Sequence, residues 1–301
     1  MHTKDRPPNP TAAVAFMLLA TIFIAGTMLA AKVLGSDTFG APLHPVQVAQ
    51  GRFVFALMAL MSVAAVMRPK INAPNWRLHI GRTSFGALGV TLMFASVAFI
   101  PLSDATAISF LNPVFGMMLA IPFLGEKVGR WRWLAAAIAF VGALVLLRPS
   151  PDTFQVAALL ALGAAMALGA ELIFVKKLAN REPPLQILLI NNGIGCVLIT
   201  LAALPVWAMP TLPQWGVLAL LGIMMASAQT CFVNAMARAE ASFVTPFSYL
   251  TLIFAASYDW VIFRVVPDWV SFLGAGIIVS GAALLAWCEA ALNKKGRTTC
   301  L

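Results

Sequence analysis

The sequence predicts an all-α, polytopic membrane protein with ten transmembrane helices arranged as two inverted five-helix repeats. Of the 301 residues, 61% are hydrophobic and 10% are charged, whereas soluble domains are about 45–50% apolar and about 25% charged. Ten apolar runs are long enough to cross a bilayer, and the second half of the chain resembles the first. A soluble enzyme, a disordered protein and a fibrous protein are excluded, because too few charged residues remain to solvate the surface of such a chain.

The apolar runs follow one another with short, clearly marked breaks. The breaks contain proline, glycine or charged residues, such as Gly35, Pro69, Pro101 and Pro183, which end helices for steric reasons. The runs are continuous and do not alternate in hydrophobicity, so they indicate helices and not the strands of a barrel. The predicted spans are residues 11–34, 46–67, 80–100, 104–124, 131–149, 155–178, 185–207, 213–237, 241–264 and 268–289.

The basic residues predict the orientation in the membrane. Sixteen of the 20 Lys and Arg residues fall in segments on the same side as the N-terminus. Lys32, Arg148 and Arg264 fall on the other side, and Arg52 lies within a span. Short loops rich in Lys and Arg stay in the cytoplasm. With an even number of spans, we expect both termini to be cytoplasmic.

An internal duplication divides the chain into two halves. Aligning Gly142 with Gly281 makes residues 105–147 parallel to residues 244–286, as two spans joined by a short turn. Each half has five spans, an odd number, so the second half enters the membrane from the opposite side. The predicted units are two five-helix repeats and a short basic cytoplasmic tail, which cover residues 1–149, 155–289 and 290–301.

Both halves resemble the repeat of a known family. Residues 105–115 (ATAISFLNPVF), the turn at Leu124-Gly125-Glu126 and the helix around Gly142 resemble the EamA repeat of the drug/metabolite transporter superfamily. Residues 242–250 through Gly281 form a similar second copy. The resemblance covers nearly the whole chain. It implies a transporter that works by alternating access around a central cavity.

Within the superfamily, the sequence looks most like bacterial exporters of aromatic amino acids. This resemblance implies export of amino acids, aromatic and other apolar ones, across the bacterial inner membrane. The alternative is multidrug export of cationic amphipathic compounds. Two departures from the family pattern, Arg264-Val265 in place of Gly-Glu and Leu252 opposite Pro113, suggest that the two halves do not move symmetrically.

Three ionisable residues within the predicted spans are candidates for function, because a charge inside a bilayer is costly. Arg52 and Asp259 lie at about the same depth, roughly 8–9 Å from the outer ends of their helices, and we expect them to form a gating or structural pair. Alternatively, Arg52 reaches outward to water and Asp259 bonds to a neighbouring helix. Glu171 is a candidate to bind a coupling proton or a substrate ammonium group; the alternative is a structural hydrogen bond.

Uncharged polar and aromatic residues within the spans are candidates for substrate binding. Pro113 is predicted to break its helix near the middle and to free a backbone carbonyl. Aromatic rings can stack on aromatic substrates or attract cationic ones. Each of these residues has packing between helices as an alternative role. With Glu171, the substrate-binding candidates are Phe94, Phe110, Asn112, Gln229, Asn234 and Tyr249.

Several other functions are not expected from the sequence. None of the three histidines lies deep in a predicted helix, no paired aspartates occur, and the four cysteines lack metal-binding spacing, so we expect no enzyme activity, no metal and no cofactor. The net charge of +9 comes from loops between apolar runs, which indicates anionic lipid headgroups and not nucleic acid. We find no cluster of Lys or Arg within the spans that could hold a phosphate. The expected partners are the bilayer, a small-molecule substrate and, if transport is coupled, a proton.

Overall fold

Ten long helices make up most of the described part of the chain. The computed structural model describes residues 9–69, 73–97, 108, 110–147, 156–264 and 268–294. Within these ranges the long helices are α1 (Pro10–Leu34), α2 (Pro45–Met67), α3 (Trp76–Val97), α4 (Asn112–Leu124), α5 (Arg130–Leu147), α6 (Val156–Ala179), α7 (Pro184–Ala203), α8 (Leu212–Met236), α9 (Leu250–Phe263) and α10 (Trp269–Lys294). Short helical segments cover Asp37–Phe39, Leu204–Val206, Ala241–Val244 and Thr245–Tyr249.

The length and hydropathy of these helices suit a bilayer. Within the described residues, six segments are long and apolar enough to span a bilayer, and Asn112–Leu124 and Phe272–Leu284 are shorter apolar helices. Helices α3 and α5 carry arginines in their first two turns, which lowers their hydropathy. The all-α, multi-pass fold predicted from the sequence is confirmed. The six segments long and apolar enough to span are Pro10–Leu34, Pro45–Met67, Leu159–Ala179, Pro184–Val206, Leu212–Met236 and Ala241–Ile262.

One span differs in detail from the prediction, and the description of a second is incomplete. The predicted span 241–264 is interrupted by a 3-10 segment, Thr245–Tyr249, because Pro246 has no N–H to continue an α-helix. Pro113 lies in the first turn of α4, which begins at Asn112; most of the predicted span before Asn112 lies outside the described residues, so a break of that span at Pro113 stays a prediction. Proline is tolerated there because the first N–H groups of a helix have no partner within it.

The packing of the helices follows the predicted inverted repeat. Helix α1 packs along α8, and the equivalent helices of the other repeat, α6 and α3, pack in the same way. Helices α5 and α10 are equivalent to each other and form another extensive contact. Gly125 and Arg264 both have left-handed backbone conformations, at φ 68° and φ 57°. They are related by the same offset that aligns Gly142 with Gly281, so Arg264 occupies the turn position of Gly125.

Helices α5 and α10 approach closely because small residues line their contact. A Cβ atom added to Gly142 would lie 2.7 Å from the backbone nitrogen of Ile278. A Cβ atom added to Gly281 would lie 2.9 Å from the backbone oxygen of Ala135 and the backbone nitrogen of Ala139. Backbones that pack this closely leave no room for a side chain. This contact therefore joins the last helix of the first repeat to the last helix of the second repeat.

The two ends of the bundle, which we call the Asn9 end and the Gly40 end, are built differently. At the Gly40 end, Gln47 bonds to the backbone of Ala208, and Gln214 donates to the carbonyl of Ala41 at 2.8 Å. Helix α2 packs along α8, whereas the equivalent pair, α7 and α3, makes only limited contact. The two repeats are therefore arranged asymmetrically around the centre.

Replacing Gly281 by alanine should destabilise the protein. The new Cβ would collide with the backbone of α5, and such overpacking costs about 1–3 kcal/mol, which outweighs the better helix propensity of alanine. We expect a lower melting temperature for the purified protein in detergent, measured by tryptophan fluorescence.

Gly276 is a matched control on the same helix, because nothing lies within 4 Å of a Cβ added there. Gly276→Ala should leave the melting temperature unchanged or raise it slightly. Equal melting temperatures for the two variants would show that the close contact of α5 and α10 is not as described.

Candidate functional site

A buried ion pair joins α3 and α6 within the bundle. The Nε atom of Arg82 lies 3.7 Å from Oε1 of Glu171, and the Arg82 side chain is only 4% exposed. A Cβ atom on Gly86, one turn further along α3, would lie 3.0 Å from Oε2 of Glu171. The glycine therefore makes the space in which the carboxylate sits.

A row of glycines brings α3 this close to α6. Cβ atoms added to Gly81 and Gly89 would lie 2.4 Å from the Phe174 ring and 2.7 Å from the Leu168 side chain. With Gly86, these glycines follow one face of α3, and Leu168, Glu171 and Phe174 follow the facing side of α6. Phe174 also stacks on Phe85, with ring centroids 5.4 Å apart. The position of Glu171 relative to α3 is thus held by packing on both sides.

Arg52 adds a second positive charge near Glu171. It interacts electrostatically with Glu171, and its guanidinium carbon lies 4.3 Å from the centroid of the neighbouring Phe53 ring. Phe53 in turn fills the space beside Gly195 of α7. We call Arg52, Arg82 and Glu171 the arginine cluster; its members come from α2, α3 and α6.

The arginine cluster retains unused hydrogen-bond donors. Within the described part of the chain, the buried Nε and Nη1 atoms of Arg82 and the buried Nε atom of Arg52 have no acceptor. The 3.7 Å separation of Arg82 and Glu171 is longer than a hydrogen bond. The Glu171 carboxylate therefore compensates part of the positive charge of the two arginines, but it does not accept hydrogen bonds from these nitrogens.

Gln229 is engaged in a hydrogen bond between helices. Nδ2 of Asn192 on α7 donates to Oε1 of Gln229 on α8 at 2.8 Å, and also to the carbonyl of Leu188 on its own helix at 2.9 Å. Oδ1 of Asn192 is buried and has no donor among the described residues. Gly195, which contacts Phe53, lies one turn along α7 from Asn192. The pair is thus placed near the Arg52 side of the cluster.

Phe110 and Tyr249 lie together; Phe110 is half-buried. The Tyr249 hydroxyl donates to the backbone carbonyl of Phe110 at 2.6 Å, and the two rings are 5.8 Å apart between centroids. Tyr249 is completely buried. In this conformation the two residues connect the start of α4 to the segment before α9.

The other predicted site residues are placed apart from the arginine cluster or cannot be placed. Asn234 donates to the carbonyl of Thr230 and accepts from Arg238, so its amide bonds along its own helix. Asn112 is the half-buried first residue of α4. The side chains of Phe94 and Asp259 lie outside the described residues, so the pairing of Arg52 with Asp259 stays a prediction.

Sequence reasoning missed a second polar group, which we call the Glu126 network. The Glu126 carboxylate accepts the backbone N–H groups of Ala241 at 2.8 Å and Ser242 at 3.0 Å. Arg132 pairs with Glu240 and donates to Oγ of Ser242 at 2.8 Å. The Leu-Gly-Glu turn of the first repeat therefore holds the start of the ninth span in the second repeat.

Two further buried residues support the Asn9 end. The Lys176 ammonium donates to the backbone carbonyls of Met236, at 2.6 Å, and Ala239. Glu182 accepts from His79 at 2.8 Å and from the backbone N–H of Asn75 at 2.7 Å. Lys176, Arg132 and Arg82 lie near the ends of predicted spans, among the basic residues that the sequence assigns to the cytoplasmic side, but the structure buries all three. The sequence offered one sign that these cations are buried, namely the acidic residues that can compensate their charge: Glu126, Glu240 and Glu171.

Replacing Glu126 by glutamine should weaken the Asn9 end. The amide keeps the shape but loses the charge and one of the two acceptors, and a buried unsatisfied group costs about 1–3 kcal/mol. We expect a lower melting temperature in detergent, measured by tryptophan fluorescence. Lys127→Gln, at the exposed neighbouring residue, is the control and should leave the melting temperature unchanged. Equal melting temperatures for Glu126→Gln and wild type would contradict the capping role of Glu126.

Comparison with known proteins supports a transport role for this architecture. The EamA-like transporter family matches the chain twice, over residues 11–148 and residues 155–287. A riboflavin transporter of Vibrio cholerae is 29% identical over 293 residues, which cover 96% of this chain and 97% of that protein. An S-adenosylmethionine uptake transporter of Rickettsia bellii is 27% identical over 284 residues, which cover 94% of this chain and 96% of that protein.

A solved structure shows that the fold is shared. It superposes with a TM-score of 0.80 at 16% sequence identity, covering 94% of this chain and 99% of its own. At this identity the likeness concerns the fold alone. The two matches to one family, in contrast, together cover almost the whole sequence. The chain is a multi-pass membrane protein that belongs to the EamA-like transporter family.

Proposed function

We propose that the protein carries a small organic metabolite across the bacterial inner membrane by alternating access, along a route that passes the arginine cluster. The observation that carries this proposal is the double match to a transporter family over both five-helix repeats. Inverted repeats place substrate sites near the bilayer midplane, between the two halves. Ionisable residues buried in such a bundle mark substrate or ion pathways, and the arginine cluster lies between helices of the two repeats.

The proposed orientation puts the Asn9 end in the cytoplasm. Its support is the distribution of exposed basic residues over the two ends. Among the described residues, exposed cations at the Gly40 end are Lys32 and Arg264. Those at the Asn9 end are more numerous and include Arg68, Arg77, Lys127, Arg130 and Arg181.

Amino-acid export is the narrower form of this proposal. The relatives named above carry other molecules, riboflavin and S-adenosylmethionine, and one of them is an uptake transporter. The transport experiment described next therefore determines both the substrate and the direction of transport. The alternative of cationic drug export is disfavoured, because the two arginines outweigh the one glutamate and the net positive charge of the cluster repels a positively charged compound.

Transport by the purified protein in proteoliposomes tests this function. The probes are labelled riboflavin, S-adenosylmethionine, phenylalanine, tryptophan, threonine, methionine and a cationic dye, each with and without a pH gradient. We expect saturable flux of at least one metabolite and none of the dye, because the arginine cluster disfavours a cation. Protein-free liposomes are the control.

The outcomes of this experiment separate the alternatives. Flux of the dye alone would replace the proposal by drug efflux. Flux that follows the pH gradient and loses this dependence in Glu171→Gln would assign proton coupling to Glu171, whereas flux indifferent to the gradient would show facilitated transport. Absence of flux for every probe would count against transport of these metabolites.

A further inference from the structure

The arginine cluster contains an imbalance of charge. Arg52 and Arg82 supply two positive charges, and Glu171 supplies one negative charge that interacts with both. Removing charges from water is costly unless opposite charge compensates them. When all three residues are ionised, the cluster therefore lacks one negative charge.

The donors of the cluster are also incompletely used. Arg82 is almost fully buried, yet its Nε and Nη1 atoms have no hydrogen-bond acceptor among the described residues, and the same holds for Nε of Arg52. Arginine nitrogens form their strongest bonds with carboxylates and phosphates, often two at a time. The unused donors and the missing negative charge indicate the same kind of ligand, an anion.

The cluster is open to space on the Glu171 side, whereas the unused arginine nitrogens are buried behind it. The Glu171 side chain is 27% exposed, although it lies inside the helix bundle. Arg52 is half-buried, and the Phe53 ring beside its guanidinium offers an apolar surface. A molecule that combines an anionic group with an apolar body would find partners for both parts here.

We propose that Arg52 and Arg82 bind the carboxylate of the transported molecule, and that Glu171 competes with this carboxylate for Arg82. The inference rests on the transport function proposed above and names the chemical class of its substrate. One carboxylate supplies the single negative charge that the cluster lacks. A phosphate monoester, at about −1.5 to −2 near neutral pH, brings more negative charge than the cluster can balance.

The roles of the three residues predict opposite effects of substitution. Arg82→Gln and Arg52→Gln remove donors to the carboxylate, so each should weaken carboxylate binding by at least about tenfold. Glu171→Gln removes the competing anion and leaves Arg82 unpaired, so this variant should bind carboxylates more tightly than the wild type does. A glutamate with a purely structural role would not improve binding when it is replaced.

Ligand-induced thermal stabilisation of the purified full-length protein tests these effects. The probes are benzoate, its neutral counterpart benzamide, and inorganic phosphate, each titrated against the melting temperature of the wild type and the variants. We expect benzoate to stabilise the wild type, benzamide to have no effect and phosphate to have a smaller effect than benzoate. Arg77→Gln, at an exposed position on α3, is the control and should respond like the wild type.

Each outcome decides the proposal. Equal shifts with benzoate and benzamide, or no benzoate shift in either the wild type or Glu171→Gln, would overturn it. A larger shift with phosphate would replace the carboxylate by a phosphate group. If Glu171→Gln does not yield folded protein, the comparison of wild type with Arg52→Gln decides, since no salt bridge of Arg52 is broken among the described residues.

The result is also separable from the transport function. Metabolite flux without a benzoate-dependent shift would leave the transporter proposal standing and remove the carboxylate site. A benzoate-dependent shift that is lost in Arg82→Gln, together with no flux of any metabolite, would leave the carboxylate site standing and would count against transport of these metabolites.

Discussion

Charged side chains that are removed from water must find compensating groups, and in this protein the compensating groups join the two repeats. Arg82 of the first repeat faces Glu171 of the second. Arg132 pairs with Glu240, and His79 bonds to Glu182, again across the two repeats. Lipid tails are as apolar as leucine, so hydrophobicity alone does not hold helices together in a bilayer. The buried charges and the close backbone contact of α5 with α10 supply the specificity that hydrophobicity does not.

Hydrogen bonds at both ends of the bundle connect its helices. The Glu126 network and the bonds to Glu182 involve ionised or ionisable groups and lie at the Asn9 end. At the Gly40 end, uncharged amides contribute, as in the bonds between Gln47 and Ala208. Hydrogen bonds to charged groups are roughly twice as strong as neutral ones. The bonds of the Glu126 network and of Glu182 are therefore stronger than the amide bonds of Gln47.

The fold was predictable from the sequence because its signals are local or periodic. Apolar runs of about 20 residues predicted the spans, and the alignment of Gly142 with Gly281 predicted the inverted repeat. The arginine cluster was not predictable in this way. Arg82 lies only seven residues into α3, near the cytoplasmic end of the predicted span 80–100, and nothing local shows that its side chain turns inward toward Glu171. The bond of Gln229 to Asn192 likewise depends on how α7 packs on α8, which a single sequence does not reveal.

The arginine cluster is divided between two packed groups of helices. Arg82 and Glu171 lie on α3 and α6, which the row of glycines at Gly81, Gly86 and Gly89 holds in close contact. Arg52 lies on α2, which packs along α7 and α8 and not along α3. Movement between these groups preserves the distance from Arg82 to Glu171, but it changes the distance from Arg52 to both. Alternating access, the mechanism proposed above, requires such movement. Under this proposal, the distance between the two arginines changes during transport while the distance from Arg82 to Glu171 does not.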